Sequence, residues 1–486
     1  MLRGVGMSIA QTGQVRQAAA GQAPHAGAQA TGSDRIALGT VLLTILCALF
    51  LGWPLYRLML PLEIDSNEAW NAWQIDRAMA GLKLYPDPQS LIANNYPPLS
   101  FYLAGLLARL TGDTILAGRL LSLLGTLMSG AAIFVSLRQL GTARWPAALA
   151  AIWFVATLAR MYWNYVGMND PHLLGLGVML AGLAWLLMRT RKGQSAEPAL
   201  AVMVLAGFIK HSLWAIPVTG LAWLAMETPA RFWRALLAAA LMAALGLALC
   251  VLCYGTDFIS GLMSPRSMSL THLLIRVGRL QTIAPALVIW GLWIGAGWRE
   301  RAGRLSAIFI GASLLAFLVQ SLANGVANNA QFELAAASAL GLGLAVDGLA
   351  RVERFRRFGI SRAQAWIVAA LVLRLLLTER TEPFLLLTPG FRTQIASQVE
   401  RANAEIARVR KMKDGVVCSI PTACYRAGKP FVFDEFITGQ RVATGKWSHQ
   451  HLNAEMSRNG VVQVVTDASM EWNADVPAIF RIQGIK

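Results

Sequence analysis

This 486-residue chain is short of charge: 14% of its residues are charged and 56% are hydrophobic. Soluble domains carry about a quarter charged residues, so the shortage excludes a chain folded wholly in water. Cysteine is scarce as well. Five cysteines are too few for a disulfide scaffold; Cys47, Cys250 and Cys253 fall in or near apolar runs and read as inert filler. Cys418 and Cys424 lie in a polar segment, where pairing is open to them in an oxidising compartment. No Walker-type glycine loop occurs, so an activity driven by a soluble nucleotide has no motif to rest on. Neither an Asp-x-Asp pair nor a His/Cys ligand spacing marks a metal site, which leaves a divalent cation such as Mg²⁺ or Mn²⁺ open as the cofactor.

Apolar runs of spanning length recur from Ile36 to about Thr378, which predicts a mainly α, polytopic helical membrane protein. The formal charge of +17 does not indicate nucleic acid, because the basic residues sit in short connectors between apolar runs rather than on one soluble face. Residues 1–35, rich in Ala, Gly and Gln, read as a disordered cytoplasmic tail, and the run after them as an uncleaved signal anchor. The connectors holding Arg138 and Arg144, Arg189 to Lys192, Arg231 and Arg234, Arg299 to Arg304, and Arg351 to Arg362 fall on the inside. "GMNDPH" (167–172), "KHSL" (210–213) and "NGVANN" (324–329) fall outside with 255–283. The alternation predicts about eleven transmembrane helices across 36–378, with an outside loop at 61–113. Within that loop, 94–112 reads as a juxtamembrane or re-entrant helix. Residues 379–486 read as a small C-terminal α/β domain outside the membrane: "GVVCSI" and "VVQVVTDA" as strands, "HQHLNAEMSR" as a helix, "AGKP" as a turn.

The polar clusters gather on the outside. "EIDSNEAWNAW" (63–73) sets Glu63, Asp65, Asn67 and Glu68 among Trp70 and Trp73 directly after the first span. Asn169 and Asp170 mark the second outside loop, Lys210 and His211 the third, and Asn324, Asn328, Asn329 and Glu333 the fifth. Ionisable groups at membrane depth are costly and tend to face a cavity. Plainer roles compete. Asp65 and Glu68 share a helix face and can simply cap it, and Asn169 or Asp170 makes a good N-cap. Lys210, splitting an apolar stretch at 199–226, can snorkel. Trp70, Trp73 and Tyr96 suit interfacial anchors, though aromatic faces also suit sugar rings.

The ordered set "SNEAWNAWQIDRAMAGLKLY" (66–85), "NNYPPLSFYLAG" (94–105), "AGRLLSLL" (117–124), "MNDPHLLGLG" (168–177) and "GFIKHSLWAIP" (207–217) resembles a known family. It is similar to the polyprenol-phosphate-dependent membrane glycosyltransferases of the GT-C class, especially the bacterial branch related to lipid A aminoarabinose transferases and protein O-mannosyltransferases. The resemblance covers nearly the whole membrane part. It implies a cavity at the outer face of the bacterial inner membrane, roofed by the soluble domain, where a sugar passes from a polyprenyl phosphate to a glycan, lipid or protein acceptor. In the family an acid early in the first outside loop, commonly in an Asp-Glu pair, is the general base. Here Asn67-Glu68 stands at that pair, which makes Asp65 the first candidate for the base and Glu68 the second. Asp170 matches the second-loop acid and Lys210 a basic position near the donor phosphate. Asn67, Tyr96, His211, Arg276, Asn328 and Glu333 complete the expected substrate-binding set. The rival reading is a transporter or lipid flippase, although no internal repeat supports it.

Overall fold

The computed structural model describes residues 25–378 and 382–471. The first helix begins at His25, within the segment read as a tail; the rest of that tail lies outside the described residues, as does 472–486. In chain order the helices are α1 (His25–Arg57), α2 (Asn67–Met79), α3 (Leu99–Thr111), α4 (Thr114–Gln139), α5 (Arg144–Met161), α6 (His172–Arg191), α7 (Glu197–Ile209), α8 (Ala215–Glu227), α9 (Pro229–Tyr254), α10 (Asp257–Leu262) and α11 (Leu270–Gly278). They continue as α12 (Ala284–Gly297), α13 (Arg301–Leu322), α14 (Phe332–Asp347), α15 (Glu353–Phe358), α16 (Ile360–Leu376), α17 (Glu382–Leu385) and α18 (Pro389–Arg410). Beyond them lie β1 (Val416–Cys418), α19 (Pro421–Arg426), α20 (Glu435–Ala443), α21 (His449–Arg458) and β2 (Val462–Val464).

Apolar runs become helices because a backbone in lipid must satisfy its own hydrogen bonds. Helices α1, α4 to α9, α12 to α14 and α16 occupy the segments read as spans. Length separates them. Among the described residues, five are long and apolar enough to cross a bilayer unaided, or six if the pair bent by 76° between α11 and α12 counts as one. The others, α5, α7, α8, α14 and α16, run to only 13–18 residues. The segment at 94–112 is, as the charge pattern predicts, a short separate helix, α3, closed by Gly112 at φ 73°.

Packing grades from a central helix to a peripheral one. Helix α14 is buried from Phe332 to Val346, and its Ala, Gly and Ser positions let α5, α12 and α13 approach it. Helix α9 lies at the rim, with Leu237, Leu241, Leu245 and Leu252 exposed to the surroundings. Helices α4 and α6 meet through glycine: a Cβ on Gly125 would stand 2.3 Å from the carbonyl oxygen of Leu173. That contact aligns the start of α4 with the loop before α6.

The two ends of the bundle differ in chemistry. At one end the basic connectors are knitted together by Arg234–Glu197, Arg301–Glu227 and Arg351–Glu300 ion pairs and by Asp347 accepting from Ala143 N. At the other, the loops at 61–98, 162–171, 210–214, 255–283 and 323–331 converge beneath the C-terminal segment. That segment follows the predicted elements: α21 spans His449–Arg458 and the turn is at Gly428 (φ 76°). Its sheet is smaller than the sequence suggests, two parallel three-residue strands paired Val416 with Val462, the crossover running through α19, α20 and α21. Leu62 of the first loop lies in the same apolar cluster as Ile406, Val416 and Met470, so loop and domain share a core.

Cys418 and Cys424 are joined in a disulfide. It ties β1 to α19, whose Thr422 N donates to Glu63 at 2.7 Å. Closing so short a loop contributes roughly 2 kcal/mol by restricting the unfolded chain. Replacing both cysteines with serine should lower the thermal unfolding temperature of the purified protein, and a reductant should lower the parent protein's to the same extent. Equal transitions with and without reductant would show the bond contributes nothing.

Candidate functional site

The site is assembled outward from a buried ion pair. Glu68 and Arg119 are both fully buried; Arg119 Nε and Nη2 each reach a separate Glu68 carboxylate oxygen at 2.7 Å. Arg119 also donates to the carbonyls of Arg57, Leu58, Leu60 and Leu62, the frayed end of α1 and the chain beyond it. Glu68 in turn accepts from Ile64 N and Asn169 N, and its carbonyl accepts from the Asn169 side chain. A Cβ on Gly118 would collide with that Asn169 side chain at 1.6 Å, so only glycine fits one residue before Arg119. With every lone pair facing a donor, Glu68 holds loops together. The motif "AGRLLSLL" carried the signal for Arg119, a lone cation in an apolar helix, but composition alone gives it no partner.

Asp65 lies three residues before Glu68 in the same turn. Its Oδ1 accepts from Asn67 N at 3.0 Å, which starts α2, and the Asn67 side chain also stabilises the carboxylate, while Oδ2 makes no geometrically formed hydrogen bond among the described residues. Capping therefore engages one oxygen and leaves the other. Burial raises its carboxyl to about 6, assisted by the negative charges of Asp170 and Glu68 and opposed by the Asn67 N–H. Asp170 is buried and caps α6 by accepting from His172 N at 2.8 Å, and its other oxygen faces the Tyr96 hydroxyl at 3.4 Å. Across the Tyr96 ring lies Lys210, its Nζ 3.3 Å from the ring centroid. Lys210 is 4% exposed and its ammonium has no hydrogen-bond acceptor among the described residues, so it does not snorkel to a surface. It sits at the break between α7 and α8, where the backbone is extended.

Asp65 and Tyr96 from the first outside loop, Asp170 from the second and Lys210 from the third are thus brought together. Arg276 reaches the rim, tied to the carbonyls of Ser321 and Ala323. Arg266, in the same outer loop, donates to Asn324 O and interacts electrostatically with Tyr96 and Asp434. The remaining expected residues are engaged elsewhere. Asn67 serves the turn into α2. Asn328 accepts from Arg279 at 2.5 Å, and Glu333 accepts from Ile216 N at 3.0 Å at the start of α8. His211 is exposed beside the Lys210 turn. Asn329 contacts the His172 ring at 3.2 Å. Among the described residues no three His, Cys, Asp or Glu side chains form a metal-binding group. Asp65 and Asp170 remain as two carboxylate donors, the number by which Mg²⁺ is commonly held when a substrate phosphate supplies further oxygens.

The tryptophans of the motif at 63–73 are not lipid anchors. Trp70 Nε1 donates to Asp434 Oδ2 at 2.9 Å, and Trp73 Nε1 to the Lys429 carbonyl at 2.9 Å. Trp73 stacks on Phe431, and Trp70 meets Tyr96 edge-on at 5.0 Å. Both half-buried rings face the C-terminal domain, whose Asp434 also caps α20 through Ile437 N. Asp434 is raised to about 6 by burial. Nothing in the local sequence around Asp434 announces that role.

Breaking the Glu68–Arg119 pair from one side leaves a buried charge uncompensated, at a cost of about 3–5 kcal/mol. Glu68→Gln should therefore unfold at markedly lower temperature, and Glu68→Leu combined with Arg119→Met should recover part of the loss. A Glu68→Gln protein as stable as the parent would exclude this account of the pair.

No protein-family model and no curated protein sequence matches the chain. Solved structures do. ArnT from Cupriavidus metallidurans, bound to undecaprenyl phosphate, superimposes with a TM-score of 0.53 at 17% identity, covering 82% of this chain and 88% of that one. The oligosaccharyltransferase of Archaeoglobus fulgidus in its apo form gives 0.50 at 12% identity, covering 88% of this chain and 69% of that one. The fold of this chain is the GT-C fold of membrane glycosyltransferases.

Proposed function

We propose that the protein transfers a sugar from a polyprenyl-phosphate donor to an acceptor hydroxyl, with inversion, at the periplasmic face of a bacterial inner membrane. The observation that carries this reading is a half-buried carboxylate, Asp65, and a buried ammonium, Lys210, both facing Asp170; among the described residues neither Asp65 Oδ2 nor Lys210 Nζ has a geometrically formed hydrogen bond. A base and a cation so placed serve the two ends of one displacement. The undecaprenyl phosphate bound to ArnT supports a lipid-phosphate donor for the shared fold.

In this reading the acceptor hydroxyl gives its proton to Asp65 as its oxygen attacks the anomeric carbon. The bond from that carbon to the phosphate oxygen breaks, and the electron pair leaves with the polyprenyl phosphate. Lys210, with Arg266 and Arg276 at the rim, stabilises the charge that develops there. Asp170 holds the Tyr96 hydroxyl and so orients the ring under Lys210. Glu68 acts through position: it fixes the loop that presents Asp65. The polyprenyl tail lies along the outer surface of the spans, and the C-terminal domain closes the site from above. A divalent cation held by Asp65 and Asp170 would neutralise donor phosphate charge.

The test is sugar transfer by the purified full-length protein, read as release of polyprenyl phosphate, which a transporter or flippase would not produce. Asp65→Asn keeps the shape and removes the base, so turnover should fall about a hundredfold or more. A base raised to about 6 is protonated and inactive below that pH, so kcat/KM should climb through pH 6 to a plateau. Lys210→Met should weaken donor use with folding intact. Near-normal turnover in Asp65→Asn would overturn the mechanism.

A further inference from the structure

At the end of the bundle opposite Asp65, a groove of about 360 Å³ opens between α12, α15 and α16. Its position follows from the chain. Arg374, near the finish of α16, donates to Gln281 O at the start of α12, and Arg279 beside it holds Asn328 at the site end. The finish of α12 and the start of α16 therefore belong to the far end, where Arg351 pairs with Glu300.

The walls are apolar: Ile289 and Leu292 from α12, Phe355 and Phe358 from α15, Trp366 and Ile367 from α16. Phe358 and Trp366 are 49% and 67% exposed, so the groove is open to the molecule's surroundings. Its rim is strongly basic. Residues 351–362 contain five arginines and one glutamate. Arg351 and Arg357 are paired with Glu300 and Glu353. Arg356 and Arg362 are exposed and form no side-chain hydrogen bond or ion pair with any described residue.

We infer that this groove binds one anionic glycerophospholipid, an acyl chain against Phe355, Phe358 and Trp366 and the headgroup phosphate at Arg356 and Arg362. An apolar channel with an arginine rim matches an amphiphile that is hydrocarbon at one end and anionic at the other. Guanidinium groups suit a phosphate because they donate two parallel hydrogen bonds. Juxtamembrane basic segments attract anionic leaflets for the same electrostatic reason. A second copy of the chain is a poorer occupant. The carboxylates of Glu197, Glu227, Glu300, Glu353 and Asp347, described at this end, are already engaged, and so offer the arginines no free partner. The inference is independent of the transfer reaction.

Native mass spectrometry of the full-length protein, offered equal phosphatidylglycerol and phosphatidylcholine, tests it. The parent should retain phosphatidylglycerol at least tenfold over phosphatidylcholine. Arg356→Gln with Arg362→Gln should abolish that preference. Ala370→Trp, which fills the groove from an exposed wall position without touching charge, should lower retention of phosphatidylglycerol. Equal retention of the two lipids by the parent would overturn the inference, as would unchanged retention in Ala370→Trp. Displacement of phosphatidylglycerol by equimolar undecaprenyl phosphate would overturn it too, by assigning the groove to the donor's tail. The parent's lipid ratio and the Ala370→Trp result decide the question even if the double variant does not fold.

Discussion

Everything at the site hangs on one guanidinium. Arg119 enters α4 as the only charge between Asp113 and Arg138, and every donor nitrogen it has is committed: Nε and Nη2 to Glu68, Nη2 also to the Leu62 carbonyl, and Nη1 to the carbonyls of Arg57, Leu58 and Leu60 where α1 ends. Lysine could not replace it, since three rotating donors on one point cannot address a carboxylate fork and a row of carbonyls together. Burying such a pair is costly in itself, and well-packed hydrophobic residues of similar volume commonly match it in stability. What the pair supplies is position. It turns a chain leaving a membrane helix into a loop with a fixed course, and that course decides where Asp65 points.

From this knot the construction proceeds outward in steps. Glu68 holds the backbone and side chain of Asn169, which sets Asp170 at the start of α6. Asp170 faces Tyr96, and Tyr96 underlies Lys210. On the other side of α2, Trp70 and Trp73 reach the C-terminal domain, and Glu63 joins it through Thr422 N and Met470 O. The same eleven-residue motif therefore faces the membrane core, the candidate cavity and the roof. Two carboxylates three residues apart acquire different duties from their surroundings: Glu68 is surrounded by donors, Asp65 by like charge and partial burial.

The sequence revealed what repeats locally and hid what pairs at a distance. Span positions, the short α3, the helix at 449–458 and the opposed chemistry of the two ends were legible because hydropathy and charge are written in consecutive residues. Asp65, Tyr96, Asp170 and Lys210 were legible as polar groups breaking apolar context. Their partners were not. Glu68 meets Arg119 from 51 residues away, and Trp70 meets Asp434 from 364 away, so neither contact leaves a local pattern. Glu333 and Asn328 read as site residues for the same reason that Asp65 did, yet a helix start and an arginine occupy them. The tryptophans misled in the opposite direction, because an aromatic beside a membrane serves a lipid boundary and a docking domain equally well.

Glu333 acquires a meaning once helix length is considered. Helices α7 and α8 have 13 residues each, or roughly 20 Å at 1.5 Å per residue, against a hydrocarbon core of about 30 Å. Two helices of that length that start at the basic connectors end about 10 Å short of a full crossing, which would carry the turn bearing Lys210 below the opposite boundary of such a core. Irregular backbone is tolerated there only when protein satisfies it. The structure satisfies it: Glu333 accepts from Ile216 N, Gln320 donates to Ser212 O, and Lys210 N returns to Ala206 O. Lys210 is thereby carried below the surface on a turn that two distant polar side chains keep folded. In the proposed reaction the donor phosphate would have to be drawn below its own headgroup plane, into the protein, to reach that ammonium, which links the shortness of two helices to the chemistry proposed for the site.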